Sequence, residues 1–583
     1  MTVHRVAAAQ FFSGTDVVAN LELCRDYISR AARDGAQLVV LPENSNRVRD
    51  YADREQCWEH AEVLGGAFVT GLCQAARTFG VYLAAGVDLR GDARPDVHIC
   101  SVLIDPHGAI VGVHRKHVLW DYEYTLFVPG EEPYQVYETD LGRIGLLLCA
   151  DGIVPDTPRA LALAGAQILC NSLNSRGPDE FRVHVPLRAM ENRVFHVAAN
   201  TVGGPADAWP WMGGSQIVAP DGTRLADAGE RAPGLAVADI DPAEADDKVM
   251  PEVGDLFAWR RTDLYTPLTR PLAELPVAPM CGPAPADMPA RPVRVATLQV
   301  SHFPNTEWTI TRALAQIDYA AGRGADVGVL PALFCFAPGE VAADPAAAAT
   351  RSAEVLARLG TACAQARMWV VAHLVEECAG RYYSTGYLLD RAGRLRHTYR
   401  KTHLNSAERA WATPGERVDV VATEIGTIGL MLDDEVWAPE VARLLTLAGA
   451  ELIAHPTDWR RPEAAYVAAT ERTEENRVHL VSCTRLDSPA AVGSQVLRAD
   501  EFAPGQPIAL MRYPTGHWSR PGFEEQLLVQ LDLREANSKM MGHHLDPVAT
   551  RAPGLYGAFL DPAAGSRGAG EPAAAGGASR AGG

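Results

Sequence analysis

The stretch "IGLLLCADGIVPDTPRALALAGAQIL" (144–169) returns further along the chain as "IGLMLDDEVWAPEVARLLTLAGAELI" (428–453). Each copy reads as an apolar strand, an abrupt polar stop, a helix closing at a glycine, and a further apolar run. In the first copy Thr157 is the expected N-cap, Pro158 the first helical position and Gly165 the helix end. Other segments recur in the same order. "RVAAAQ" (5–10) matches "RVATLQ" (294–299), and "DGAQLVVLPEN" (34–44) matches "RGADVGVLPAL" (323–333). "HRKHVLWDYEYTLFVPGEE" (114–132) matches "YRKTHLNSAERAWATPGER" (399–417). "RAMENRVFHVAANTVG" (188–203) and "GGSQIVAPDG" (213–222) are echoed at 471–486 and 492–501. The separation drifts only from 289 residues (Gln10 to Gln299) to 284 (Cys149 to Asp433), so two domains of like fold are expected.

The expected divisions are 1–268 and 292–562, joined by a proline-rich segment at 269–291 whose prolines remove donors and suit an extended linker. Residues 563–583 hold no apolar side chain larger than alanine and read as a disordered tail. Within a domain the pattern alternates. "VHRVAAAQ" and "AQLVVLP" are strand-like, with Leu21, Cys24, Ile28 and Ala31 at helical spacing between them, and the whole reads as a layered α/β unit with mixed strand pairing.

A net charge of −19 over 583 residues speaks against a nucleic-acid partner, which needs a basic surface. No segment approaches the roughly 20 apolar residues of a membrane span, and the start lacks the pattern of a signal peptide, so a cytoplasmic protein is the expectation. Eleven cysteines without a C-x-x-C pair indicate neither a disulfide framework nor a zinc site. His114 and His117, and the adjacent His543 and His544, carry no third ligand at metal spacing, and no phosphate loop or G-x-S-x-G is present.

Three strand ends in the first copy each carry one reactive side chain: Glu43 after "LVVLP", Lys116 after "AIVGVHR" and Cys149 after "IGLLL". Strands that end in such groups bring them to one shared edge. The three are complementary. A carboxylate can take a thiol's proton, a lysine ammonium and a backbone N–H such as that of Ala150 can stabilise an oxyanion, and the following helix is expected to favour a thiolate at Cys149. Taken singly, a cysteine after a strand is usually core filling and a lone lysine or glutamate is usually solvated.

Together, "LPEN", "HRKHVLW…E…FVPGEE", "GLLLCADGIVPD", "RAMENRVFHVAANTVG" and "GGSQIVAPDG" resemble the nitrilase superfamily of carbon–nitrogen hydrolases. The resemblance covers nearly all of residues 1–270 and recurs more weakly over 291–562. It implies two tandem αββα sandwich domains. It also implies Glu43 as general base, Lys116 as oxyanion stabiliser, Cys149 as nucleophile and Glu123 as a second carboxylate orienting the lysine or the substrate, with no metal or organic cofactor. Trp120, Tyr122 and Tyr124, with Trp209 and Trp211, suit a substrate pocket or ordinary packing equally, and Arg188 with Glu191 reads as a structural helix pair.

The second copy carries Ala332 in place of Glu43 and Asp433 in place of Cys149, while keeping Lys401 and Glu408. It is expected to be dead as a hydrolase and to serve as the intramolecular partner of the first copy, a pseudo-dimer, which leaves further homo-oligomerisation open. Cys149-Ala150-Asp151-Gly152 is closer to the pattern of aliphatic-amidase relatives than to the Cys-Trp-Glu of true nitrilases. The expected reaction is therefore hydrolysis of a linear amide. An N-carbamoyl (ureido) substrate or a nitrile is the alternative within the class; acyl or amine transfer, and a non-catalytic binding scaffold, stand outside it.

Overall fold

The computed structural model describes residues 2–204, 210–285, 287–500 and 514–565. Trp209 and residues 566–583 of the expected tail lie outside the described residues.

The first half contains twelve principal strands: β1 (His4–Gln10), β2 (Leu38–Val40), β3 (Tyr82–Arg90), β4 (Val97–Ile104), β5 (Ile110–Arg115), β6 (Val136–Thr139), β7 (Gly142–Leu148), β8 (Ile168–Ser172), β9 (Phe195–Ala199), β10 (Gln216–Val218), β11 (Arg224–Asp227) and β12 (Gly234–Ile240). They form two six-stranded sheets, ordered β12-β1-β2-β3-β4-β5 and β11-β10-β9-β8-β7-β6. Parallel pairing at the centre, as between Leu38 and Tyr82 or Ile144 and Ile168, gives way to antiparallel edges, which is the mixed sheet expected of this pattern. The inner faces meet in one apolar layer in which Val6, Val40 and Ala84 pack against Ile144, Ile168 and Val197. Helices α1 (Val17–Arg33) and α2 (Ala67–Phe79) cover the first sheet; α3 (Asp156–Leu163) and α4 (Val185–Asn192) cover the second. Each domain is thus an αββα sandwich.

The second half repeats this order. Its sheets run through strands Leu395–Arg400, Arg381–Leu389, Trp369–Cys378, Val327–Ala332, Pro292–Thr297 and Leu528–Asp532, and through Val420–Thr423, Gly426–Leu430, Leu452–Thr457, His479–Thr484, Gln495–Arg498 and Thr515–Trp518. Helices α5 (Thr306–Gly322) and α6 (Pro345–Ala366) cover one face, and α7 (Pro439–Leu447) and α8 (Ala469–Glu474) the other.

The two halves share a core. Leu161, Leu187 and Met190 of α3 and α4 belong to the same apolar cluster as Val441, Leu445 and Ala469 of α7 and α8. Inside it lies a buried ionic group. Arg188 binds Glu191 at 2.6 Å and Glu475 at 2.9 Å and also reaches Glu471, while Arg472 bridges Glu191 and Glu475. Arg188 and Glu191 are a helix pair, as expected, but the pair works across the two halves.

Three local expectations change. The helix after Cys149 begins at Asp156, so Thr157 and Pro158 lie within its first turn; Pro158 costs nothing there because the first N–H groups have no intrahelical acceptor. Residues 269–280 are not extended. They coil into short 3-10 turns at Leu272–Glu274 and Ala278–Met280, bury Leu275, Val277 and Met280, and tie Val277 N–H to the Leu447 carbonyl at 3.2 Å. The apolar spacing between the prolines lets this segment dock on α7. Packing also continues past 562: Ala564 is buried and its carbonyl accepts from Arg260 at 3.0 Å.

Candidate active site

Glu43 follows β2, Lys116 follows β5 and Cys149 follows β7, and all three are buried at the same end of the sandwich. The Glu43 N–H donates to the Leu173 carbonyl at 3.1 Å, which anchors the end of one sheet to the other. The approach of β3 is closer still. A Cβ on Gly86 would lie 2.4 Å from the Glu43 Cα, so only glycine fits there.

Lys116 Nζ donates to Glu43 Oε1 and Glu123 Oε2, each at 2.8 Å. Glu123 Oε2 also accepts the Trp120 N–H at 2.7 Å, which holds the short turn Asp121–Thr125 over the lysine. Arg49 completes the charge balance by pairing with Glu123 and standing 3.6 Å from Glu43 Oε2, so two cations face two carboxylates in a buried space.

Cys149 opens a four-residue 3-10 turn, with Ala150 next, and adopts φ 44°. Its N–H donates to Asn171 Oδ1 at 3.0 Å. Burial pushes the thiol up to about 12; Glu43 adds to the rise and Lys116 opposes it. The expected thiolate stabilised by a helix dipole is thus corrected to a neutral thiol. The helix proper starts seven residues later at Asp156, and a dipole acts only within about its first turn. Asp151 ties the parts together: its carboxylate accepts from the N–H groups of Leu148, His117 and Val118 and pairs with His114 at 2.8 Å. These contacts hold it below the usual carboxylate range despite burial.

A cavity of about 320 Å³ opens beside Cys149. Trp120, Tyr122 and Trp211 line it, whereas Tyr124 packs against apolar neighbours behind. The guanidinium of Arg49 lies 5.6 Å from the Tyr122 ring centre, and that of Arg176 lies 3.9 Å from the Trp211 ring centre. Glu180 faces the same space, and burial raises its carboxyl to about 7. Sequence reasoning missed Arg49, Glu180 and Asn171. For Arg49 a signal existed, since one buried lysine between two carboxylates leaves a negative excess that a nearby arginine could balance. For Glu180 there was none, because a π-helical turn (Glu180–His184) aims it.

The equivalent place in the second half is differently filled. Lys401 Nζ donates to Glu408 Oε2 at 2.6 Å and stands 3.8 Å from Asp433 Oδ2. Asp433 keeps the left-handed turn at φ 51°, and Glu435 takes over the tying contacts of Asp151, accepting from Leu432 and Thr402 N–H. At the strand position of Gly86 stands His373, bonded to Ser384 at 2.7 Å, and Ser384 donates to Glu408 at 2.8 Å. Ala332, with no side chain past Cβ, leaves room for that imidazole.

The fold and these strand-end groups define a carbon–nitrogen hydrolase. The carbon-nitrogen hydrolase family profile matches residues 5–247 and again 294–488, and the chain belongs to that family. A nitrilase of Pyrococcus abyssi is 32% identical over 248 residues, 42% of this chain and 92% of the relative. The human deaminated glutathione amidase is 32% identical over 288 residues, covering 46% and 85%. An (R)-stereoselective amidase from a Pseudomonas species is 33% identical over 217 residues, 37% and 76%. Among solved structures, an amidase of Nesterenkonia sp. aligns at 29% identity over 42% of this chain and 92% of its own, with a TM-score of 0.37. The protein is a nitrilase-superfamily enzyme with two matching regions. No helix among the described residues is long and apolar enough to cross a membrane.

Proposed function

We propose that the first half hydrolyses a linear amide through a thioester on Cys149, and that the second half does not catalyse. The observation that carries this is the hydrogen-bonded pair Glu43–Lys116 set close enough to act on the charge of Cys149, which lines the cavity, in a chain whose relatives include named amidases. The neutral thiol gives its proton to Glu43 as sulfur attacks the amide carbon. Glu43 passes that proton to the departing amine, the C–N bond breaks and the thioester remains. Glu43 then takes a proton from water as the hydroxide adds to the thioester, the C–S bond breaks to release the acid, and Glu43 returns that proton to the sulfur, re-forming the thiol and the carboxylate. An ammonium has three donors; two of those on Lys116 are held by carboxylates, which leaves the third for the oxyanion beside the Ala150 N–H. Arg176, half-buried over Trp211 at the cavity wall, favours an amide that also carries a carboxylate.

The second half, with Ala332 and Asp433, lacks the base and the nucleophile; it acts as a built-in partner that braces α3 and α4 through the shared core. The test is ammonia release from a panel of amides and ureido acids by the wild type and by Cys149→Ala, with mass spectrometry of the trapped acyl-enzyme. Turnover of an amide by the wild type alone, with the adduct on Cys149, is the expected result. Equal release by both proteins overturns the assignment.

A further inference from the structure

A second cluster of reactive side chains, outside the steps above, begins in the cavity wall, where Asp179 and His184 are lining residues, and continues to Glu474 of the second half. Asp179 and His184 come from the first half and Glu474 from α8 of the second, and their ligand atoms all lie within 4.8 Å of one another. His184 Nε2 is 3.9 Å from Asp179 Oδ2 and 3.8 Å from Glu474 Oε1. All three residues are buried. Among the described residues, His184 Nε2 and both carboxylate oxygens of Glu474 have no hydrogen-bond partner. Unpartnered polar atoms at such depth carry a large desolvation cost, and an ionised carboxylate carries the largest.

We propose that Asp179, His184 and Glu474 bind a divalent transition-metal ion, with zinc as the leading candidate, and that this ion pins the two halves together. One imidazole nitrogen and two carboxylate oxygens form a donor set that such ions accept. His184 is already oriented for it. Its Nδ1 lies 2.8 Å from Glu471 Oε2, and loss of the Nε2 proton on metal binding would leave that lone pair facing the two carboxylates, as in a carboxylate–histidine–metal arrangement. Ligand atoms about 2.0–2.1 Å from a tetrahedral ion stand roughly 3.4 Å apart. Small side-chain movements from 3.8 and 3.9 Å reach that spacing. The rival is an imidazolium held between carboxylates with no metal. Those same separations are too long for the hydrogen bonds an Nε2–H would make, so it too needs the side chains to move, and metal content tells the two apart. The expectation of no metal site came from local spacing, and Glu474 lies 290 residues beyond His184 along the chain.

The experiment uses the full chain with any affinity tag removed, carrying Cys149→Ala so that the thiol does not compete for metal. The protein is stripped with a chelator, exposed to zinc, desalted and analysed for metal content and thermal midpoint. The expected result is one tightly held zinc per chain and a raised midpoint, both lost on adding Glu474→Gln. A parent that keeps no zinc, or a Glu474→Gln chain that keeps as much, overturns the proposal. If Glu474→Gln fails to fold, cobalt(II) titration of the parent decides: intense tetrahedral absorption bands support the site, and their absence overturns it.

Discussion

Replacing Gly86 by alanine should damage turnover without changing the identity of any catalytic side chain. The added Cβ would stand 2.4 Å from the Glu43 Cα and 2.9 Å from the Pro42 carbonyl oxygen. Those are backbone atoms, so no side chain can rotate away. Relief to an ordinary contact of 3.4 Å moves the Glu43 backbone by about 1 Å, and misplacement on that scale costs on the order of 100-fold in rate. That is about 2.7 kcal/mol on the barrier, beside a packing cost of about 1–3 kcal/mol in stability. The assay is kcat on an amide the wild type turns over, with thermal unfolding and alkylation of Cys149 by a haloacetamide to show a folded protein with its thiol in place. Gly234→Ala serves as control, since its Cβ would meet nothing closer than 3.6 Å. A folded Gly86→Ala enzyme with wild-type kcat would refute the idea that this close approach sets the position of the base.

Restoring Ala332→Glu and Asp433→Cys together in a Cys149→Ala chain should give no amide turnover, because His373 holds the space that Gly86 leaves open in the first half; measurable ammonia release would show that side-chain identity alone matters. With the Cys149 thiol raised to about 12, its thiolate fraction stays small at neutral pH and grows as pH rises. Substrate-free alkylation should therefore keep accelerating through about pH 9 without a plateau, and a plateau near neutrality would contradict the neutral thiol. Arg188→Ala leaves Glu191, Glu471 and Glu475 short of a partner in the shared core. A loss of about 3–5 kcal/mol in denaturant unfolding is expected, and an unchanged midpoint would mean the group bears no net load.

The duplication and the layered α/β architecture were legible because strand-period runs and glycine-closed helices recur in fixed order, and periodicity survives substitution. Glu43 and Cys149 were legible for a related reason, since each follows a buried apolar strand whose end forces a side chain toward the shared edge; Lys116 follows the half-exposed strand β5 and was legible from its recurrence at Lys401. Arg49 was not, since it sits in a loop with no period and reaches the site only through the path the loop takes between β2 and the short helix Arg54–His60. The exchange of Gly86 for His373 was equally hidden, because it has meaning only beside the loss of Glu43 at Ala332. Thr157 and Pro158 misplaced the helix start by treating a first-turn proline as its first residue. Residues 269–291 misled for another reason: prolines forbid regular hydrogen bonding but place no bar on burying Leu275, Val277 and Met280.

The left-handed turn at Cys149 has a counterpart at Asp433, at φ 44° and 51°. Strain at a residue with a side chain is usually taken as a mark of catalysis. Here the non-thiol copy bends the same way, so the bend belongs to the architecture and is indifferent to what the side chain does. The turn is a mount, and the atom fixed on it is interchangeable. For the experimenter, exchanging the residue at position 149 should alter the chemistry and leave the frame standing, and the chain already carries the control for that substitution.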